Sequence, residues 1–259
     1  MNTMKQNKLD IIADTKPITR CSKNLPSQTI MGLLFSLFLF VLFSCQLSKV
    51  DNFEGPNATI SGGIYDNQTG ELVEQDIING MQIEYVEHGY DNPETQYMVV
   101  KNNGTYRNDL MFANTYTMHP VRGNFVPTDI QEVVVKGNTE LNFKVQPYIR
   151  IKNPKIVQSG SKIIATFNLE ATVENKIAKI GLFEDPDINV GSTLNKINNI
   201  KELPTSADLS QAYSLEIDIA SYPDLLIPGK EYYFRIGALI DAPEAKYNYA
   251  SAILIKIIN

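Results

Sequence analysis

From residue 58 to its end the chain is written in a period of two. Runs of about four to eight residues rich in Val, Ile, Tyr, Phe and Thr alternate with clusters of Gly, Asn, Asp and Pro. A period of two sends successive side chains to opposite faces of an extended strand. Met81-Gln82-Ile83-Glu84-Tyr85-Val86 is the clearest case, with Met81, Ile83 and Tyr85 on one face. No segment here keeps a helical period for more than about two turns. Helical bundles and alternating α/β folds are thereby excluded, and sheets packed on sheets remain. The expected fold class is all-β, with two tandem immunoglobulin-like β-sandwiches.

The strand and turn signals divide into two sets. In the first, residues 59–66, 81–86, 96–100, 105–110, 115–119, 132–135 and 141–145 read as strands, with residues 71–73 as a further short one. Asn103-Gly104 and Lys136-Gly137-Asn138-Thr139 supply turns between them. Seven or eight strands in roughly 95 residues suit one sandwich. In the second set, residues 163–169, 177–183, 213–219 and 252–257 read as strands. Tyr148, Ile149 and Ile151 alternate between the halves, so the last strand of the first sandwich is expected to run stiffly into the second.

Ahead of the strands lies a different kind of segment. Lys5, Lys8, Lys16, Arg20 and Lys23 precede an apolar run over residues 30–43, which ends in Leu42-Phe43-Ser44-Cys45. Basic, then apolar, then a small residue is the grammar of a secretory signal. The run is shorter than the roughly 20 residues a membrane-spanning helix needs. With cysteine at the cleavage point, the stretch resembles the lipobox of bacterial lipoproteins, in which that cysteine carries diacylglycerol. The expected organisation is a signal peptide over 1–44, a lipid-anchored tether over 45–57, and sandwiches over 58–151 and 152–259.

Removing the leader leaves 215 residues and discards five basic and two acidic side chains, which takes the formal charge from −6 to −9. A surface this acidic repels phosphate backbones, so nucleic acid is not an expected partner. Cys21 leaves with the leader, so Cys45 would be the sole sulfhydryl of the mature chain. No disulfide remains open to it, and with only His88 and His119 available neither a metal site nor a cofactor is expected.

Candidate sites are few. Asp185-Pro186-Asp187-Ile188-Asn189-Val190-Gly191 echoes the start of a calcium loop, but its glycine comes one position late and Lys196 stands where a bidentate Glu is required. It reads as a solvated turn. Residues 119–127 hold the densest mix of functional side chains. Arg122 and Asn124 suit hydrogen bonding to a polyhydroxylated ligand, and Phe125 suits stacking against it, although the prolines and glycine there also fit a loop that merely plugs the sandwich end. Tyr90, Tyr97, Tyr247 and Tyr249 lie near turns or strand ends, where sheet-edge tyrosines expose part of their rings. No nucleophile–base pattern stands out. A glycosidase that draws two carboxylates from distant positions has no local signature to show.

Several segments carry family resemblances. Asp66, Thr69, Gly70 and Glu71, followed by Asn103-Gly104-Thr105-Tyr106 and Thr115-Tyr116, resemble the transthyretin-like or carboxypeptidase-regulatory-like sandwich. Leu226-Ile227-Pro228-Gly229-Lys230-Glu231-Tyr232, continued by Arg235-Ile236-Gly237-Ala238, resembles the E–F corner and F strand of fibronectin type III domains, with Tyr232 as the corner tyrosine. Taken together, residues 51–62, 106–112, 120–125 and 147–151 are similar to a family of two-domain Bacteroidetes surface lipoproteins, in which Val121-Arg122-Gly123-Asn124-Phe125 and Pro147-Tyr148-Ile149-Arg150-Ile151 are the specific parts. Such proteins accompany Sus-like transporters and their glycan-binding lipoprotein partners. The resemblance implies an outer-membrane, cell-surface lipoprotein that serves polysaccharide uptake without catalysis. It would either bind glycan, around Tyr106, Arg107, Arg122, Asn124 and Phe125, or dock on the transporter without touching sugar. A carboxylate-pair hydrolase is the reading from another class.

Overall fold

The computed structural model describes residues 54–204 and 208–258. The expected signal peptide over 1–44, Cys45 with its expected lipid, and most of the expected tether over 45–57 lie outside them. No helix among the described residues is long and apolar enough to cross a membrane.

The first sandwich holds β1 (Ala58–Asp66), β2 (Gln82–Glu87), β3 (Thr95–Val99), β4 (Thr105–Met111), β5 (Asn114–Val121), β6 (Gln131–Val135), β7 (Asn138–Glu140) and β8 (Phe143–Val145). One sheet runs β3-β2-β5-β6. In the other, β1 pairs antiparallel with β4 and, along its opposite edge, parallel with β7 and then β8. Period-two alternation sends Ile60, Ile64, Ile83, Met118, Tyr116 and Phe143 into one core between the sheets.

The second sandwich holds β9 (Ile149–Ser159), β10 (Lys162–Ala171), β11 (Ile177–Asp185), β12 (Ile197–Glu202), β13 (Tyr213–Asp218), β14 (Glu231–Ile240), β15 (Asn248–Tyr249) and β16 (Ile253–Lys256). Its sheets run β13-β10-β9 and β12-β11-β14, with β15 and β16 along the far edge of β14. Ile163, Phe167, Ile180, Leu182, Phe234 and Ile236 fill its core. The Tyr232 hydroxyl accepts the Ile227 N–H at 3.1 Å, which closes the turn at Pro228-Gly229.

Two expectations need correction. Ile149 and Ile151 do not end the first sandwich. They open β9, which pairs with β10 from Ile149↔Ala171 onward, so the second sandwich begins three residues before 152. Residues 71–73 contribute a single bridge, Tyr65↔Leu72, instead of a strand. β12 has no counterpart in the sequence reading, because its Asn198, Asn199 and Lys201 interrupt the apolar pattern.

β11 and β14 are buried on both faces. The outer face carries Gly181 opposite Gly237. A Cβ on Gly237 would come within 2.8–3.1 Å of the Tyr249, Tyr247 and Phe183 rings. The paired glycines thus leave a flat bed on which Phe183, Tyr247 and Tyr249 pack, with ring centroids 5.4–6.2 Å apart. Residues 73–76 of the first sandwich close over this layer.

Candidate functional site

The two sandwiches meet through polar side chains that are buried and paired. Arg235 projects from β14 and is fully buried, and all five of its N–H groups are used. Nε donates to Ala250 O, Nη1 to Gln75 O and Val190 O, and Nη2 to Asn102 O and the Glu74 carboxylate, at 2.7–3.1 Å. The guanidinium also lies 4.1 Å over the Tyr249 ring. Asp76 accepts from the Tyr249 hydroxyl at 2.7 Å and from Ser192 Oγ at 2.8 Å. Burial, reinforced by the Asp76 charge, pushes the Tyr249 phenol well above its ordinary value. Asn124 donates to Glu74 O and Tyr247 O, and its backbone carbonyl accepts from Asn248 Nδ2 at 2.8 Å, while its buried side-chain Oδ1 has no partner among the described residues. Arg150 grips Asp66 with two hydrogen bonds and Glu170 with a third. Burial alone would raise the Asp66 carboxyl, but Arg150 and the Gln68 N–H more than offset it and hold the group below its usual value. A junction with so many satisfied donors fixes one relative orientation of the sandwiches.

Clefts open where the two sandwiches abut, and one side chain stands between two of them. Arg122, just after β5, lines a cleft of about 250 Å³ with Asn79, Met81, Gln82, Val99 and Lys246. It also lines a cleft of about 290 Å³ with His119, Phe125, Tyr148, Pro243 and Glu244. The first sandwich supplies most of the lining of each, and the second adds Lys246 to one and Pro243 and Glu244 to the other. Backbone strain collects here. Asn79, Arg122 and Glu244 are three of the four described non-glycine residues with positive φ, at 58°, 55° and 55°. Such conformations cost about 1 kcal/mol or more and concentrate at ligand sites. The floor of the larger cleft is the apolar surface of Tyr148 and Pro243, and its rim is polar. His119 is fixed by donating from Nε2 to Thr128 O at 2.8 Å. Burial raises the Tyr148 phenol. From this rim the outer face of β3-β2-β5 leads away in the row Tyr97–Glu84–His119, with Tyr97 48% exposed. A wider groove of about 620 Å³ runs along another part of the junction, between Leu72, Asn103, Lys152, Ser251 and Ile253.

The residues singled out from sequence do not form one constellation. Tyr106 is buried in the first core with its hydroxyl donating to Leu141 O, and burial raises its phenol strongly. Phe125 is almost wholly buried, and Asn124 is buried and holds the junction. These three are structural, because alternation placed Tyr106 inward and residues 124–125 cross beneath the second sandwich. Arg107 is exposed on β4 and pairs with Asp109 at 2.7 Å, away from the junction. Arg122 alone of the five is both exposed and in a cleft. Tyr90 and Tyr97 are exposed, whereas Tyr247 and Tyr249 are buried in the junction. Asp185 and Asp187 accept the N–H groups of Asp187 and Asn189 in local turns, and no cluster of acidic, His or Cys side chains fit for a metal exists among the described residues. Sequence reasoning missed Lys246, Gln82 and the whole of the Arg235 network. The one signal for the network was a glycine in each of two core strands, Gly181 and Gly237, which announced a covered outer face.

The family described as Protein of unknown function (DUF3823) N-terminal domain matches residues 58–146, and that described as Domain of unknown function (DUF3823_C) matches residues 149–253. The break between the two matches falls between β8 and β9. A crystal structure of a "putative carbohydrate binding protein" from Bacteroides uniformis ATCC 8492 is 40% identical, with a TM-score of 0.72, over 78% of this chain and 100% of that one. DUF3823 family proteins from Bacteroides ovatus ATCC 8483 and Parabacteroides merdae ATCC 43184 are 22% and 21% identical, with TM-scores of 0.66 and 0.68. They cover 77% and 78% of this chain and 99% and 100% of their own. No curated protein matches.

Proposed function

The chain belongs to the two-domain DUF3823 family, and from that premise we propose that it is a non-catalytic glycan-binding protein of the bacterial outer membrane. Lipid on Cys45 anchors it at the cell surface, and it presents a binding site to a Sus-like uptake system. The observation that carries this reading is the pair of clefts sharing Arg122 across a locked junction. Sugar recognition needs an apolar floor for ring faces and fixed planar polar groups for hydroxyls. Tyr148 and Pro243 supply the first, and Arg122, His119, Gln82 and Glu244 supply the second. The 40% identical relative described as a putative carbohydrate binding protein supports the same direction. Binding without catalysis suits the carboxylates. Glu184, whose carboxyl burial raises toward neutrality, lines neither cleft. Affinity electrophoresis of the protein through gels containing a panel of polysaccharides tests the proposal. Retardation by at least one glycan is expected, and unchanged mobility in every gel sinks it.

A second reading, docking on the transporter, is favoured by the opposite pole of the first sandwich. The Asn57 N–H donates to Met111 O and the Asn57 side chain accepts the Ala113 N–H, so the chain comes in beside the β4–β5 turn. Leu110, Tyr90, Val134 and Phe112 are 75%, 63%, 66% and 43% exposed around that pole. Only nine peptide steps, at most roughly 30 Å of chain, separate Cys45 from Glu54, so this apolar pole would stay within reach of a membrane-embedded partner. Pull-down from outer membranes should recover the transporter with the unaltered protein and lose it with a Leu110→Ser/Phe112→Ser variant. Equal recovery of the transporter by both would discard this reading.

A further inference from the structure

We infer that the cleft between Arg122 and Lys246 is built for the acidic group of a sugar, a uronate carboxylate or a sulfate ester. This deepens the glycan-binding proposal and rests on it. Four arginines lie among the described residues. Arg107, Arg150 and Arg235 each pair with a carboxylate, Asp109, Asp66 and Glu74 respectively. Arg122 alone of the four has no carboxylate within salt-bridge distance among the described residues. It is exposed at the cleft, and its backbone is held in the left-handed region. Lys246, half-buried across the same cleft, also has no acidic partner among the described ion pairs. The remaining lining of that cleft includes Asn79, Met81, Gln82 and Val99, and no carboxylate of the described residues lines it.

An acidic protein surrounds this spot, with a formal net charge of −6 for the full sequence. Two cations with no carboxylate partner among the described residues, in a shared concavity of such a molecule, focus positive potential where the rest of the surface repels anions. The planar guanidinium fits the two oxygens of a carboxylate or sulfate, and the ammonium adds a point charge from the opposite wall. Gln82 and Asn79 remain for neighbouring hydroxyls. At about 250 Å³ the cleft suits a single sugar unit. The adjoining cleft over Tyr148 and Pro243 shares Arg122 and takes the next unit on its apolar floor. Glu244 on the far rim of that second cleft keeps the acidic group on the Lys246 side of Arg122.

Calorimetric titration of the protein with galacturonan, carboxyl-reduced galacturonan, dextran sulfate and dextran tests the inference. Galacturonan or dextran sulfate should bind, and whichever does names the acidic group. Its neutral counterpart should bind at least tenfold more weakly, and affinity should fall as salt is raised. Arg122→Gly tolerates the positive φ, and Lys246→Gln keeps the length of the side chain. Each should lose tenfold or more for the acidic polymer while leaving thermal unfolding unchanged. Equal binding of neutral and acidic forms overturns the inference and leaves glycan binding standing. Acidic binding that survives both substitutions overturns it as well, because the charge is then read elsewhere. If these four polymers and every glycan of the panel fail to bind, both the inference and the proposed function fall.

Discussion

Glu184 shows how much a single residue can hold that its neighbours in sequence do not reveal. It follows Leu182 on the core-facing side of β11, opposite Phe234 and Ile197, and is 1% exposed with one carboxylate oxygen unpartnered. Burial, then the Asp185 charge, raises its carboxyl from 4.5 to about 7, against a smaller opposing pull from Lys196. Between those values the folded protein keeps a proton that the unfolded chain releases. Stability from this group therefore falls as pH rises from about 4.5 to about 7, and then levels off. Glu184→Gln keeps the volume and removes the titration. It should stabilise the protein by on the order of 2 kcal/mol at about pH 8 and by almost nothing at about pH 4, read from urea unfolding. A variant no more stable than the parent at the higher pH would contradict this account. The strand read over residues 177–183 stops one residue short of Glu184, which the period of two continued by one residue would carry to the core side. What it could not convey is that the end of the sandwich is closed there. Arg122 is the converse case: its chemistry was legible in the loop, and its lack of a salt-bridge partner among the described residues was not.

At the scale of elements, strands were readable wherever one face is buried and the other wet. β2, β5, β10 and β13 follow alternation almost residue for residue. β14 departs from it in a way that matters. Tyr232, Phe234 and Ile236 point into the core, so Arg235 reads as solvent-facing, yet it is the most enclosed cation among the described residues. Its partners Glu74, Gln75 and Asn102 lie more than 130 positions away, and no local pattern carries a contact of that span. Arg235→Ala would remove the cation paired with the Glu74 carboxylate and leave four carbonyl groups without their guanidinium donors. The expected loss is about 3–5 kcal/mol, measured by denaturant titration. Arg235→Lys should recover only part of it, because an ammonium offers three donors to five acceptors. Full recovery by lysine would mean that charge alone, without the fork geometry, holds the junction. Gly191 belongs to the same seam, since a Cβ there would sit 2.0 Å from Asp76 Oδ1.

For the whole molecule, two tandem all-β sandwiches were legible and their shared seam was not. The sequence offered Asn124 and Phe125 either as sugar contacts or as part of a loop that plugs the sandwich end. The structure gives Asn124 to the seam and buries Phe125 beside it, leaving Arg122 at the surface because the chain turns there with positive φ. That division of labour is the central claim. The buried residues fix the sandwiches, and the fixed sandwiches create clefts that neither would form alone, with Gln82 and Arg122 on one wall and Lys246 and Glu244 on the other. The most direct measurement is backbone NMR of the protein during titration with a glycan that it binds. The account predicts that the amides of Gln82 and Arg122 in the first sandwich and of Glu244 and Lys246 in the second shift together, along one saturation curve. Shifts confined to one sandwich, or gathered around the exposed Leu110–Phe112 pole, would contradict it.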